Sequence, residues 1–141
     1  MKINDLTGKI IGAAIEVHRQ LGPGLLESAY AECICHELGS RESAFERQKP
    51  LPVNYKGVRL DCGYRLDVVV EEMIILELKS CDGIEDIHMA QLLTYLRLSG
   101  LKLGLILNFN VPVMKDGIMR VVNKLEDQTD METERRSPPK G

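Results

Sequence analysis

Three charged residues stand where the residues around them call for burial. Tyr64-Arg65-Leu66-Asp67-Val68-Val69-Val70 is followed, after a polar Glu71-Glu72 turn, by Ile74-Ile75-Leu76-Glu77-Leu78-Lys79. Two runs this rich in branched apolar residues predict adjacent strands. Side chains alternate along a strand, so Glu77 and Lys79 share one face and Leu76 and Leu78 the other; pairing the strands can bring Asp67 close to Glu77. An unpartnered buried carboxylate is costly to desolvate. A divalent cation is a sufficient partner for both acids. Magnesium takes hard oxygen ligands, one or two carboxylates with waters and phosphate oxygens, which suits Asp67 and Glu77, with the Leu78 carbonyl as a further oxygen. Lys79 beside such an ion would orient or deprotonate a water and offset charge developing on a phosphodiester. The competing reading is a plain ion pair of Lys79 with Glu77 or Asp67.

The elements that must position these residues follow from periodicity. Leu6, Ile10, Ala13, Ala14 and Val17 predict a first helix over about 4–20, broken by Leu21-Gly22-Pro23-Gly24. Leu26, Ala29, Tyr30, Cys33 and Ile34 predict a second over about 25–38, with Gly39 as its stop. From Phe45 the pattern is extended. Pro50 and Pro52 suit an edge strand, and Tyr55-Lys56-Gly57-Val58 reads as a turn into the next strand. Strands over about 62–70 and 73–80 complete an antiparallel meander. A third helix over about 85–99, ended by Gly100, leads to a strand over 103–109, and Lys115-Asp116-Gly117 turns into a short strand over 118–122. The polar segment from 124 to 141 is expected to be a disordered tail behind one domain over 1–123.

His88, Gln91 and Tyr95 project within one arc of the third helix, a polar stripe that can face the acids or serve as satisfied groups at the edge of the core. His18 and His36 have no matching ligands nearby and read as structural or exposed. The four cysteines, Cys33, Cys35, Cys62 and Cys81, lack C-x-x-C spacing and read as buried free thiols. No G-x-x-x-x-G-K-[ST] loop occurs. A formal net charge of −3 argues against tight binding to nucleic acid by phosphate neutralisation alone, though carboxylates that hold a metal contribute to that total. The apolar runs are far shorter than a membrane helix, so a cytoplasmic protein without a membrane partner is expected.

Asp67 followed by Glu77-Leu78-Lys79 resembles the PD-(D/E)xK phosphodiesterase signature, and Gly24-Leu25-Leu26-Glu27-Ser28-Ala29-Tyr30 matches the G-x-x-E-x-x-Y signature of a bacterial family within that superfamily. The likeness continues through residues 45–50, 63–65, 90–96 and 107–110 and spans roughly residues 5–123. It departs at the Cys81-Asp82-Gly83 loop and in the charged tail. The resemblance implies an α/β fold with a mixed sheet, a restriction-endonuclease-like α-β-β-β-α-β core with an extra N-terminal helix. It also implies Glu27 as a third metal-binding acid, Gln91 and Tyr95 as groups that orient lysine, water or phosphate, and Tyr30 and His88 as supporting residues. The expected function is a nuclease using Mg2+ or Mn2+, with DNA as the expected substrate. The alternative is a catalytically silent nuclease-fold protein acting as a binding or scaffold module. A homodimer is a further expectation, since a domain of this size with a Pro-containing edge strand and apolar helices can hide surface in one.

Overall fold

Helical spacing of apolar residues builds the first layer. In the computed structural model, which describes residues 2–124, helix α1 (Ile3–Leu21) turns Leu6, Ile10, Ala13, Ala14 and Val17 inward, and α2 (Glu27–Ser40) contributes Tyr30, Ala31, Ile34, Cys35 and Leu38. Gly22, at φ 71°, closes α1 by donating its N–H to the His18 carbonyl at 2.7 Å. Gly39 does not stop α2. The helix runs on to Ser40, because Arg41 and Ser43 supply N–H groups to the last carbonyls and the Ser40 hydroxyl folds back onto those of His36 and Glu37.

Seven strands follow among the described residues: β1 (Phe45–Pro50), β2 (Val53–Tyr55), β3 (Val58–Leu60), β4 (Arg65–Val70), β5 (Ile74–Lys79), β6 (Leu103–Asn108) and β7 (Ile118–Val122). Five form one mixed sheet in the order β1-β4-β5-β6-β7, with β5 and β6 parallel and every other pair antiparallel. A parallel pair needs a crossover, and α3 (Asp86–Ser99) supplies it. The Pro-containing β1 lies at the sheet edge, where a missing N–H costs no rung.

Two expected boundaries move. The strand expected over 62–70 starts only at Arg65, because Gly63 sits at φ 78° in a turn closed by the Asp61 carboxylate on its N–H at 3.0 Å. The Lys56-Gly57 turn, with both φ positive, closes a detached β2–β3 hairpin rather than leading into the main sheet. Glu71 and Glu72, at φ 52° and 55°, make the tight β4–β5 turn, and residues ahead of β7 form a 3-10 helix (Met114–Gly117).

Alternation on the strands separates two cores. Val68, Val70, Ile74, Leu76 and Leu78 pack with α1 and α2 on one face; Val69, Ile75 and Ile106 pack with Leu92 and Leu96 of α3 on the other. Gly104 lets α3 approach β6, since a Cβ there would meet the Leu92 side chain at 2.8 Å. The cysteines are free, but only Cys35 is buried: Cys62 falls in the turn outside β4 and is exposed. No helix among the described residues is long and apolar enough to cross a membrane. The tail expected to be disordered lies, from residue 125 on, outside the described residues.

Candidate functional site

Strands β4 and β5 pair through Val70–Ile74, Val69–Ile75 and Val68–Leu76, and there the pairing ends. Asp67 takes no further rung. Its Oδ2 instead accepts the Leu78 N–H at 2.9 Å, so the strands part where the acids stand. Val69 and Ile75 are directly opposite and lie in the α3-side core; by alternation Glu77 and Lys79 share that face, whereas on β4 the alternation breaks at Asp67, because Leu66 lies in the same core as Val69. The N–H and C=O of one strand residue project from the same edge, so the Leu78 carbonyl also lies on the edge toward this gap. The other edge of β4 is interrupted at the same level. The β1 rungs Arg47–Val68 and Lys49–Leu66 flank Asp67, while Gln48 opposite it adopts φ 51° and makes no rung.

Glu77 is the electrostatic centre of this gap. Its Oε1 is buried with no hydrogen-bond partner among the described residues, and its pKa is pushed up to about 9. Burial is the largest cause, followed by the negative charge of Asp67 and a hydrogen bond to it; Lys79 acts in the opposite sense, and Glu27 adds to the rise. The ion-pair reading of Lys79 does not hold. The ion pairs among the described residues are Arg19–Glu16, Arg41–Glu37, Arg47–Glu32 and Lys49–Glu46, so the Lys79 ammonium is left uncommitted beside the acids.

An orphaned carboxylate oxygen next to a second carboxylate fits a hard divalent cation. Among the described residues no group of three or more His, Cys, Asp or Glu side chains gathers closely enough to hold a metal. What the gap offers such an ion is two carboxylates and the Leu78 carbonyl, a set that would suit one keeping several waters.

The same burial sets a pH dependence. An acid whose folded pKa lies above its unfolded value holds its proton more tightly when folded. The associated stabilisation is full below about pH 4.5 and is lost as pH rises toward 9. Glu77→Gln, which keeps the shape without the charge, is expected to stabilise the metal-free protein at pH 8 by about 2 kcal/mol, well under the full shift because the site is partly solvated. Thermal unfolding in a chelator across pH 5–9 reads this directly; parallel profiles for the variant and the parent would contradict it.

Glu27 is the first residue of α2 and is exposed. It does not join Asp67 and Glu77 in one cluster, although its charge reaches Glu77. What holds it in this neighbourhood is the loop before it. The buried Tyr30 donates its hydroxyl to the Gly22 carbonyl at 2.6 Å and accepts the Leu25 N–H at 3.1 Å, while its ring stacks on Phe109 with centroids 4.3 Å apart. Ser80, next to Lys79, donates its hydroxyl to the Leu25 carbonyl at 2.6 Å. The start of α2 is thereby tied to the exit of β5.

On α3 the polar stripe divides. His88 Nδ1 accepts the Glu85 N–H at 2.9 Å and, with the Glu85 side chain, completes a capping box, so this ring nitrogen serves the helix start. Gln91 is exposed. Tyr95 packs on the α3-side core, and its hydroxyl pKa is raised by burial first and then by the charges of Glu77, Tyr64 and Asp67. Its ring lies 6.2 Å from that of Tyr64, tilted by 53°. His18 is structural: its Nε2 lies 2.7 Å from the Val111 carbonyl.

Three residues near the site carry roles that the pattern of the sequence did not assign. Asn108 is buried at the end of β6, where its Oδ1 accepts the Cys81 and Asn110 N–H groups and its Nδ2 donates to the Cys81 carbonyl. With the Phe109 N–H on the Lys79 carbonyl at 3.0 Å, this fixes the chain leaving Lys79. The signal was a lone amide closing an apolar strand. Ser80 and Gln48, a hydroxyl and an amide in otherwise ordinary surroundings, gave no such signal.

Neither a curated protein nor a solved structure gives a match to this chain. The family model of the PD-(D/E)XK nuclease superfamily matches residues 4–121, from α1 through β7. The five-stranded mixed sheet flanked by three helices is the restriction-endonuclease-like fold of that group. Nucleases of this kind act on nucleic acid and generally use divalent metals. With the match extending over most of its length, the chain belongs to the PD-(D/E)XK nuclease superfamily.

Proposed function

We propose that this protein is a metal-dependent phosphodiesterase that hydrolyses nucleic acid, DNA in the first instance, as a cytoplasmic enzyme of the G-x-x-E-x-x-Y group. The observation that carries the reading is the parting of β4 and β5 at Asp67 and Glu77, with Lys79 on the same face of β5 as Glu77 and in no ion pair among the described residues. Asp67 and Glu77 would hold a magnesium or manganese ion, with the Leu78 carbonyl as a further oxygen. The bound ion supplies a water of lowered pKa and a Lewis acid for the phosphate. Asp67 is held toward β5 for this role, because the Leu78 N–H fixes its Oδ2. Lys79 holds the attacking water and balances the negative charge that builds on the phosphate in the transition state. Gln91 and Tyr95 stand on α3 to orient water or phosphate, and Glu27 contributes its charge from α2.

Incubation with single-stranded DNA, duplex DNA and RNA in magnesium, manganese or a chelator tests this. Cleavage is expected with either ion and none with the chelator; cleavage that survives the chelator would rule out the metal-dependent mechanism. The net charge of −3 favours a second reading, a catalytically silent binding or scaffold module, for which no substrate would be cut in either ion. A homodimer is part of the proposal, and light scattering decides it.

A further inference from the structure

Six aromatic side chains serve this protein, four Tyr and two Phe, and most are accounted for by the fold. Tyr30 and Phe109 stack in the core, Tyr55 lies under the Lys56 ammonium on the hairpin, and Phe45 begins the edge strand. The remaining two, Tyr64 and Tyr95, come together from different elements beside the acids. Tyr64 immediately precedes β4, three residues before Asp67. Tyr95 belongs to α3, which covers the face that Glu77 and Lys79 share.

Tyr64 is held in place by its backbone. Its carbonyl accepts the Leu51 N–H and the Arg65 guanidinium, each at 3.0 Å, and the Asp61–Gly63 turn fixes the chain just ahead of it. The residue is nonetheless 48% exposed. An aromatic ring on a fixed main chain, tilted against a second ring and open to solvent, loses little side-chain freedom when a flat ligand lands on it. The charge around it decides which nucleic acid that ligand belongs to. A duplex is bound mainly by neutralising many phosphates, which a chain of net charge −3 with two acids beside one lysine at the site is poorly equipped to do. Unpaired bases offer their faces to aromatic rings, and each stack contributes about 1–3 kcal/mol without matching phosphates one by one.

We propose that Tyr64 and Tyr95 form a stacking platform for an unpaired base next to the scissile phosphodiester, so that the substrate is single-stranded at the site. This rests on the phosphodiesterase reading, and it names the substrate class. The test is binding of short oligonucleotides to the full chain with calcium replacing magnesium, read by anisotropy and by the fluorescence of a 2-aminopurine placed near the scissile position. The single strand is expected to bind about tenfold more tightly than the same sequence as a duplex, with the 2-aminopurine quenched on binding. Tyr64→Leu is expected to lose about tenfold and Tyr64→Phe to keep the affinity; an abasic sugar at the stacked position should weaken the wild-type protein by the same factor and leave Tyr64→Leu indifferent. Deoxyribose and ribose versions distinguish the two sources of such a base.

Equal affinity for abasic and intact strands, or a preference for duplex, would overturn the proposal. So would the absence of binding. Tyr64-dependent binding without cleavage in magnesium would support the platform and remove the phosphodiesterase reading. Cleavage in magnesium that is unchanged in Tyr64→Leu, on every strand tested, would do the reverse.

Discussion

Lys79→Ala is expected to lower nucleic-acid cleavage in magnesium by about 10²–10³-fold while leaving divalent-ion binding in place. The ammonium is committed to no ion pair among the described residues, so its removal breaks no structural contact of that kind. What is lost is a positive charge at the place where negative charge grows in the transition state. Asp67→Ala is expected to abolish cleavage and to weaken ion binding as well, and it carries a structural cost that Lys79→Ala does not. The Leu78 N–H loses its acceptor, worth about 1–3 kcal/mol if the group stays buried. Asp67→Asn is the matched control, because its amide oxygen can still accept from Leu78 while the charge is gone. Calorimetric titration with manganese and a cleavage time course on the three variants separate the roles. Undiminished cleavage by Lys79→Ala or Asp67→Asn would sink the division of labour between metal and lysine.

The acids and the lysine were legible in the sequence because charge is conspicuous in apolar strands, and strand alternation alone put Glu77 and Lys79 on one face. The order of helices and strands was legible for the same reason, periodicity broken by Gly and Pro. What alternation cannot convey is where a ladder stops. The strand expected over 62–70 begins late because a local hydrogen bond from the Gly63 N–H to the Asp61 carboxylate outcompetes sheet pairing, and the β4–β5 ladder ends early because a side chain, Asp67, takes the Leu78 N–H in place of a backbone carbonyl. Both events depend on single hydrogen bonds and leave the hydrophobic pattern untouched. The tertiary ties were hidden likewise: Ser80 on Leu25 and Asn108 on Cys81 join residues 55 and 27 positions apart. His88 shows the opposite case, a residue whose helical arc suggested the site while its ring caps the helix from the third position.

The largest stability effect is expected at Tyr30, and it bears on the site through the loop rather than through the acids. The residue is fully buried, stacked on Phe109, and bonded at its hydroxyl to both sides of the 22–25 loop. Tyr30→Ala removes the ring and leaves a cavity between α2 and the end of β6, a change that costs about 3–5 kcal/mol in comparable cores. Tyr30→Phe keeps the ring and the stack and removes only the hydroxyl. The Gly22 carbonyl and the Leu25 N–H then lose their shared partner, for about 1–2 kcal/mol. Chemical denaturation measures both. Their consequences for cleavage should differ from their order in stability. In Tyr30→Phe the protein stays folded at 25 °C, yet the loop that sets the start of α2 is left with the Gly22 N–H on the His18 carbonyl and the Ser80 hydroxyl on the Leu25 carbonyl, so Glu27 is held less firmly near β5. A drop in cleavage in folded Tyr30→Phe that is matched by Ser80→Ala would assign the loop to holding Glu27 in place. Full activity in both variants would show that the charge of Glu27 acts on the site without needing a fixed position.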